Sequence, residues 1–286
     1  MRWFLLASIG LVHAVAYAQT PVSSDVFDKM VRYAAFSAAS YQEDCPTPPF
    51  GSSIVQSFDD ADTGTRAAIF RDEKAKEIIV AFRGTSSPRE LDADLAFALV
   101  PLSVPGTSCS DCKVHDGFQR CYTAIMKPLA TALQGLLCEA DWRLVVTGHS
   151  LGGGISAIAA PSFAGLGFQV SEVFTFGEPR NGNAAWAQYA SSVVPDEQYY
   201  RVTHFTDGIP QIPPTVLGYV HHSPEYYQSE ETNNTAASTW KCDIDSPKCN
   251  AGQDFGTTLV NNAHVSYSNT VVGSSLFVPA CGAVWP

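Results

Sequence analysis

An apolar segment that runs into a glycine-flanked serine is the feature of this sequence that most limits its fold. Residues 144–146 are Leu-Val-Val, and Gly148-His149-Ser150-Leu151-Gly152 follows closely. A short β-branched run is typical of a central strand that is buried on both faces of a parallel sheet. The small and apolar residues of 155–160 predict a helix packed on that sheet. Ser150 must therefore occupy a sharp turn, where glycines let neighbouring backbone approach closely.

Strand and helix patterns alternate on both sides of this turn. A helix is predicted over 25–41, capped by Ser24 or Asp25, and strands 67–71 and 78–83 form a hairpin. Further patterns predict a helix over 117–137, strands over 172–176 and 199–205, and a helix over 186–191. Such alternation predicts an α/β fold, with a central, mostly parallel sheet, helices on both faces and ligands at the carboxyl ends of the strands.

Residues 1–18 have the features of a secretory signal peptide. Arg2 is followed by a short apolar region and by the small-x-small exit Ala16-Tyr17-Ala18. We expect a mature chain of 19–286 that folds as a single α/β domain. Because no later stretch is long enough to span a membrane, the sequence predicts a secreted, extracellular protein without integral membrane association.

Charge and composition narrow the possible partners. The net charge of -11 and the lack of basic clusters argue against nucleic acid. No pattern of metal ligands is evident, so we expect neither a metal nor a cofactor. Asn233 begins an Asn-Asn-Thr glycosylation sequon in polar surroundings, which predicts an exposed loop.

The cysteine count of 8 favours disulfides in a secreted chain. Two pairings would enclose short turns and a third would tie the start of the fold to its end: Cys109–Cys112, Cys242–Cys249 and Cys45–Cys281. Cys121 and Cys138 flank a predicted helix, which if continuous places them about 25 Å apart, so their pairing stays open. A redox role for Cys109-x-x-Cys112 is the alternative to a structural disulfide.

A serine on such a turn can act as a nucleophile only with the help of other side chains. Its hydroxyl becomes a strong nucleophile only when an imidazole takes its proton and a carboxylate orients that imidazole. In α/β hydrolases the acid and then the histidine follow the serine. Asp207 lies at the carboxyl end of a predicted strand, and His264 lies in a late, loop-like segment. These positions make the two residues the first candidates for the partners of Ser150. The other acids that follow Ser150 stay open as alternatives to Asp207: Asp196, Glu225, Asp243, Asp245 and Asp254.

The remaining histidines after Ser150 favour structural roles. His204 lies within a predicted strand, whereas His221 and His222 precede one. Packing in the core or on a sheet face is therefore the expectation for all three.

The tetrahedral intermediate of acyl transfer needs hydrogen-bond donors for its oxyanion. The backbone N–H of Leu151, at a helix N-terminus, is one expected donor. The second should come from an earlier strand end, where 80–83 stops at Gly84 and Thr85 offers a backbone N–H and a hydroxyl. An ordinary turn residue is the alternative interpretation of Thr85.

A series of motifs spans nearly the whole mature chain: 82–85 (Phe-Arg-Gly-Thr), 114–118 (Val-His-Asp-Gly-Phe), 148–153 (Gly-His-Ser-Leu-Gly-Gly), 177–183 (Gly-Glu-Pro-Arg-Asn-Gly-Asn), 201–210 and 263–267. Together they resemble the filamentous-fungal class 3 lipases, which include the type A feruloyl esterases. The resemblance implies the α/β-hydrolase fold and the three disulfides above, while Cys121 and Cys138 have no counterpart. It also implies a triad of Ser150, Asp207 and His264 and an oxyanion hole of Thr85 and Leu151.

In the lipases of this family, the segment after the oxyanion Thr or Ser is a short amphipathic lid that carries a Trp. Here the segment 86–95 is polar, and Leu91 occupies the Trp position. Exposing one leucine to lipid gains only about 1.5–3 kcal/mol, so strong interfacial activation is not expected.

Three apolar residues are expected to bind the substrate: Phe97, Leu91 and Val260. They belong to a wider apolar set whose alternative role is core packing and which includes Leu99, Val100, Leu102, Val216 and Leu217. A polar lid also resembles the feruloyl esterases, but Phe97 replaces the tyrosine that borders their phenolic pocket.

We predict a serine carboxylic ester hydrolase, a lipase that acts on acylglycerols through an acyl-enzyme. We expect the substrate to be a small-molecule ester or a lipid, which the enzyme could also meet at an oil–water interface. We expect the protein to be a monomer. A feruloyl esterase acting on plant cell-wall hydroxycinnamate esters is the first alternative. A non-catalytic lipid- or glycan-binding relative is the second.

Overall fold

A nine-stranded sheet forms the centre of the protein in the computed structural model, which describes residues 18–42, 45–85, 97–138, 141–273 and 281. Within these described residues, four α-helices pack on it: α1 Ser24–Ala39, α2 Asp116–Leu136, α3 Leu151–Gly165 and α4 Ala184–Val193. The sheet contains β1 Gln19–Pro21, β2 Ser53–Asp60, β3 Thr65–Asp72, β4 Glu77–Phe82, β7 Arg143–His149, β8 Val170–Phe176, β9 Tyr199–His204, β10 Glu225–Gln228 and β11 Thr239–Cys242. Two small sheets pair β5 Leu99–Pro101 with β6 Lys113–His115, and β12 Ser266–Tyr267 with β13 Thr270–Val271.

The strand order is β1-β11-β10-β9-β8-β7-β4-β3-β2. The central strands β4, β7, β8, β9 and β10 run parallel, which confirms the predicted α/β architecture. Both flanks are antiparallel, including the predicted hairpin of β3 and β4. The carboxyl ends of the parallel strands therefore meet at one edge of the central sheet.

Alternate side chains of β7 enter two different cores, as expected for a strand buried on both faces. Val145 packs with the α1 side, among aromatic residues that include Tyr33 and Phe174. Leu144 and Val146 pack with the residues of α2 and α3 on the opposite face. Packing on both faces fixes the position of β7, and β7 in turn fixes the position of Ser150, which directly follows it.

Several boundaries differ from the sequence-based predictions. Helix α1 begins at Ser24, and its cap is Ser23 rather than Ser24 or Asp25, because the Ser23 Oγ accepts the Val26 N–H at 3.3 Å. Strands β1 and β2 were not predicted, since β1 is exposed and β2 has a mixed polar and apolar pattern.

The described part of the chain contains three disulfides: Cys45–Cys281, Cys109–Cys112 and Cys242–Cys249. They confirm the pairings favoured by the sequence. Cys138 is an exposed free thiol. Cys121 is buried, with its Sγ 3.9 Å from the carbonyl oxygen of Thr63. Asn233 is exposed, as expected for a glycosylation acceptor.

Candidate active site

Ser150 occupies the sharp turn between β7 and α3. Its φ of 58° and ψ of -126° lie in a strained region for a residue with a side chain. The flanking glycines make the turn possible: a Cβ on Gly148 would lie 2.2 Å from the Gly152 carbonyl oxygen, and a Cβ on Gly152 would lie 2.1 Å from the Phe82 carbonyl oxygen. The expected close backbone approach at both glycines is therefore confirmed.

The structure brings Ser150, His264 and Asp207 into one hydrogen-bonded chain. His264 Nε2 lies 2.9 Å from the Ser150 Oγ, and His264 Nδ1 lies 2.9 Å from the Asp207 Oδ2. An ionised carboxylate only accepts hydrogen bonds, so the neutral imidazole carries its proton on Nδ1 and leaves Nε2 to accept the serine proton. All three side chains are buried.

Asp207 receives further hydrogen bonds that fix its carboxylate. Its Oδ1 accepts the Ile209 N–H at 2.9 Å, and its Oδ2 also accepts the Tyr267 hydroxyl. Burial raises the pKa of Tyr267 well above its usual value, and the charge of Asp207 raises it further. Tyr267 is therefore protonated and donates. The sequence had shown this tyrosine only as part of a motif, without a role.

The loop that carries His264 is held by two other histidines. His149 Nε2 lies 2.8 Å from the His264 carbonyl oxygen, while its Nδ1 lies 2.8 Å from the Tyr41 hydroxyl. His204 Nδ1 lies 2.9 Å from the Ala263 carbonyl oxygen. The expectation of a buried structural role for His204 is confirmed, and the role of His149 was missed.

His221 and His222 have partners outside this chain of hydrogen bonds. His221 Nε2 lies 2.7 Å from the Pro210 carbonyl oxygen, and His222 Nε2 lies 3.0 Å from the Glu178 Oε1. Both are buried, as expected for core residues.

The candidate oxyanion donors lie beside the serine. Leu151 is the first residue of α3, and the first N–H groups of a helix have no intrahelical acceptor. A Cβ on Gly84 would lie 3.1 Å from the Ser150 Cβ, so the backbone preceding Thr85 adjoins the serine. The Thr85 hydroxyl oxygen is buried and has no hydrogen-bond partner within the described part of the chain.

Two of the three expected substrate-binding residues fall in one apolar cluster. Phe97 and Val260 pack with residues that lie near Asp207 and His264 in sequence: Ile209, Ile212 and Leu259. These three were missed, although their position after Asp207 and before His264 is visible in the sequence. Leu91 and the expected lid segment 86–95 lie outside the described residues, as does the expected signal peptide up to residue 17.

The described residues contain neither a metal-ligand cluster nor a membrane-spanning helix. No group of three or more His, Cys, Asp or Glu residues there could hold a metal ion. None of the helices described is both long enough and apolar enough to cross a membrane.

The sheet topology and the strand-to-helix serine turn define the α/β-hydrolase fold. The model of the family described as lipase (class 3) matches residues 79–217. A lipase from Rhizomucor miehei is 30% identical over 264 residues, which cover 86% of this chain and 69% of that protein. The chain belongs to the class 3 lipase family, and it is a carboxylic ester hydrolase.

Two further comparisons agree with this assignment. A secreted mono- and diacylglycerol lipase A from Penicillium cyclopium is 28% identical over 264 residues, which cover 84% of each chain. The crystal structure of a triacylglycerol lipase from Penicillium expansum is similar with a TM-score of 0.79 and 26% identity, over 92% of this chain and 100% of that chain.

Proposed function

We propose that this protein is a secreted lipase that hydrolyses acylglycerols, with Ser150 as nucleophile, His264 as general base and acid, and Asp207 as the residue that orients His264. The observation that carries the proposal is the pair of 2.9 Å contacts that links the three side chains at the carboxyl ends of the strands. The proposed mature chain is one domain over 19–286.

The reaction follows from the position of the protons. Ser150 Oγ attacks the ester carbonyl carbon while His264 Nε2 takes the hydroxyl proton, and Asp207 stabilises the imidazolium that forms. The Leu151 and Thr85 N–H groups would stabilise the oxyanion. His264 then protonates the leaving alcohol. In deacylation, His264 takes a proton from water while the water oxygen attacks the acyl carbon. The bond from that carbon to Ser150 Oγ then breaks, His264 returns the proton to Oγ, and the carboxylic acid is released.

An acylglycerol suits the apolar cluster better than a hydroxycinnamate does. Phe97 and Val260 pack with other apolar side chains, and the ring of Phe97 has no group that could hydrogen-bond a phenol. The secreted relative is named as a lipase of mono- and diacylglycerols. We therefore favour partial glycerides as substrates and keep feruloyl esters as the alternative.

Contact with a lipid surface would involve the segment after the acid. Val216 and Leu217 are 87% and 47% exposed, and together they form an adjacent apolar pair. The Leu99 Cδ1 lies 3.7 Å from the position of a Cβ on Gly218, the residue after Leu217. The exposed pair therefore lies close to β5, the strand that follows Phe97. The net charge of -11 favours neutral over anionic lipid surfaces.

Initial rates on three substrates test the proposal: emulsified acylglycerol, a monomeric short-chain ester and methyl ferulate. We expect the acylglycerol to be hydrolysed with the highest kcat/KM. A large preference for methyl ferulate would reverse the order of the two substrate classes. Ligand binding without turnover of any of the three would instead indicate a non-catalytic relative.

A further inference from the structure

A turn closed by a disulfide adjoins Asp207, the proposed acid of the triad. Cys242 ends β11 and is bonded to Cys249, and the intervening residues form a tight turn in which the Cys249 N–H donates to the Ser246 carbonyl oxygen at 3.0 Å. Asn250 follows the second cysteine at once. Cys249 and Asn250 are both buried.

The side chain of Asn250 binds the backbone of the acid loop. Its Nδ2 donates to the Asp207 carbonyl oxygen at 2.8 Å and also lies 3.4 Å from the Phe205 carbonyl oxygen. One amide group thus contacts the chain at the residue that carries the carboxylate and at the end of the strand that leads to it. These contacts hold the backbone of Asp207, whose carboxylate binds His264.

The backbone of Asn250 is itself anchored to the sheet. Its N–H donates to the Glu225 Oε1 at 3.0 Å, and the same oxygen accepts the Thr203 hydroxyl. Its carbonyl oxygen accepts the Gln211 Nε2 at 2.9 Å. Because Thr203 and Glu225 lie on the adjacent parallel strands β9 and β10, Asn250 is held by the strands that bring Asp207 to the site.

We propose that Asn250 is a positioning residue for the acid of the triad, and that the Cys242–Cys249 disulfide holds Asn250 where it can act. The proposal rests on the proposed function of Ser150, His264 and Asp207. Asn250 acts through the Asp207 backbone, and its hydrogen bonds among the described residues go to Asp207, Phe205, Glu225, Gln211 and Gln253. Small errors in the placement of a catalytic group reduce the rate of the chemical step far more than they reduce binding.

Two variants of Asn250 test the positioning role. Asn250→Ala removes the donor, and Asn250→Asp keeps the shape but places an acceptor against two carbonyl oxygens. We expect kcat on a monomeric ester to fall roughly 10- to 100-fold while KM changes less than about twofold. The control is Gln253→Ala, which removes a hydrogen bond of the same turn to the Cys249 carbonyl oxygen at 3.2 Å. The control should keep kcat.

A spectroscopic measurement separates positioning from general stability. The proton on His264 Nδ1, shared with Asp207, should give a downfield proton resonance in the folded wild-type enzyme. We expect this resonance to shift or broaden in Asn250→Ala and to stay in place in Gln253→Ala. A folded Asn250→Ala enzyme with wild-type kcat and an unmoved resonance would overturn the proposal.

The contribution of the disulfide is tested by paired serine substitutions. We expect the double variant Cys242→Ser and Cys249→Ser to lower kcat. In the triple variant that also carries Asn250→Ala, the fold-loss of kcat should be smaller than the fold-loss of the double variant multiplied by that of Asn250→Ala alone. The matched control replaces Cys109 and Cys112, the other short-range disulfide. An equal loss of kcat in that control, or full additivity of the first pair with Asn250→Ala, would overturn the role of the Cys242–Cys249 bond. If instead Ser150→Ala keeps wild-type turnover, the proposed function fails rather than this inference alone.

Discussion

His149 donates a hydrogen bond from its Nε2 to the backbone carbonyl oxygen of His264, 2.8 Å away. A carbonyl oxygen can only accept, so the neutral ring carries its proton on Nε2, and its Nδ1 accepts the Tyr41 hydroxyl. Burial lowers the pKa of His149 well below its ordinary value, and the nearby His264 lowers it further. His149, the residue that precedes Ser150, therefore supports the loop that carries His264.

Removing this support should lower activity. We predict that His149→Phe reduces kcat about 10-fold and the free energy of unfolding by about 1–3 kcal/mol, because the His264 carbonyl oxygen and the Tyr41 hydroxyl both lose a buried partner. Tyr41→Phe should have a smaller effect on kcat, since Nε2 can still donate. Ester hydrolysis and urea unfolding measure the two quantities. Wild-type kcat in a folded His149→Phe enzyme would contradict the prediction.

Tyr267 should contribute to catalysis through Asp207. Its hydroxyl and the His264 imidazole bind the same carboxylate oxygen, and a hydrogen bond to a charged group contributes about 1.5–3 kcal/mol. We predict that Tyr267→Phe lowers kcat about 10-fold with little change in KM. Tyr227→Phe is the control, because Tyr227 is a buried tyrosine on β10 that packs in a different cluster. An equal loss of kcat in both variants would show a general effect of core substitution.

The serine turn and the place of Asp207 at a strand end could be predicted from the sequence because their signals are local, whereas the assignment of His264 rested on the residue order of α/β hydrolases and on the family resemblance. The apolar run of 144–146 and the glycines around Ser150 are contiguous, and the end of a strand marks Asp207. The contact of Tyr41 with His149 joins residues 108 positions apart, and that of Asn250 with Asp207 joins residues 43 positions apart. Such contacts cannot be predicted from a local sequence pattern, because they depend on how distant segments pack together in the fold.

The edge strands of the sheet could not be predicted from local sequence patterns either. β1 is exposed and pairs with β11, more than two hundred positions further along the chain. Its three residues have no alternation that predicts a strand. The apolar cluster around Phe97 was predicted only in part, because Ile209 and Ile212 lie in an irregular segment whose path the sequence does not specify.

His115 should make the protein less stable in acid. Burial lowers its pKa from 6.5 to about 4, and neither ring nitrogen has a hydrogen-bond partner among the residues described. The unfolded chain binds this proton at a higher pH than the folded chain does, so stability is lost as the pH falls from 6.5 towards 4. The loss due to His115 is about 3 kcal/mol at pH 4.

Phenylalanine at this position provides the test. His115→Phe keeps an aromatic ring against Phe118, whose centroid lies 4.0 Å from that of the histidine, and removes the titration. Between pH 7 and pH 4, the variant should lose about 3 kcal/mol less of its free energy of unfolding than the wild type loses. Urea unfolding at both pH values measures this difference. Parallel losses in the two proteins would contradict the pKa shift.

The exposed pair Val216 and Leu217 should affect the use of aggregated substrate. Each side chain could gain at most about 1.5–3 kcal/mol in lipid, so Val216→Ser with Leu217→Ser should lower the ratio of emulsion to monomer activity about 10-fold. Leu166→Ser is the control, because Leu166 is 40% exposed at the end of α3 opposite Ser150. An unchanged ratio in the double variant would mean that this pair does not contact the lipid surface.

In the proposed mechanism, His264 and Asp207 make the Ser150 hydroxyl a nucleophile. Titration with an organophosphonate, followed by mass spectrometry of the labelled peptides, tests it most directly. We predict one label per chain on Ser150, loss of ester hydrolysis at the rate of labelling, and a folded, unlabelled and inactive Ser150→Ala variant. Labelling at another residue, or comparable turnover by Ser150→Ala, would contradict the account.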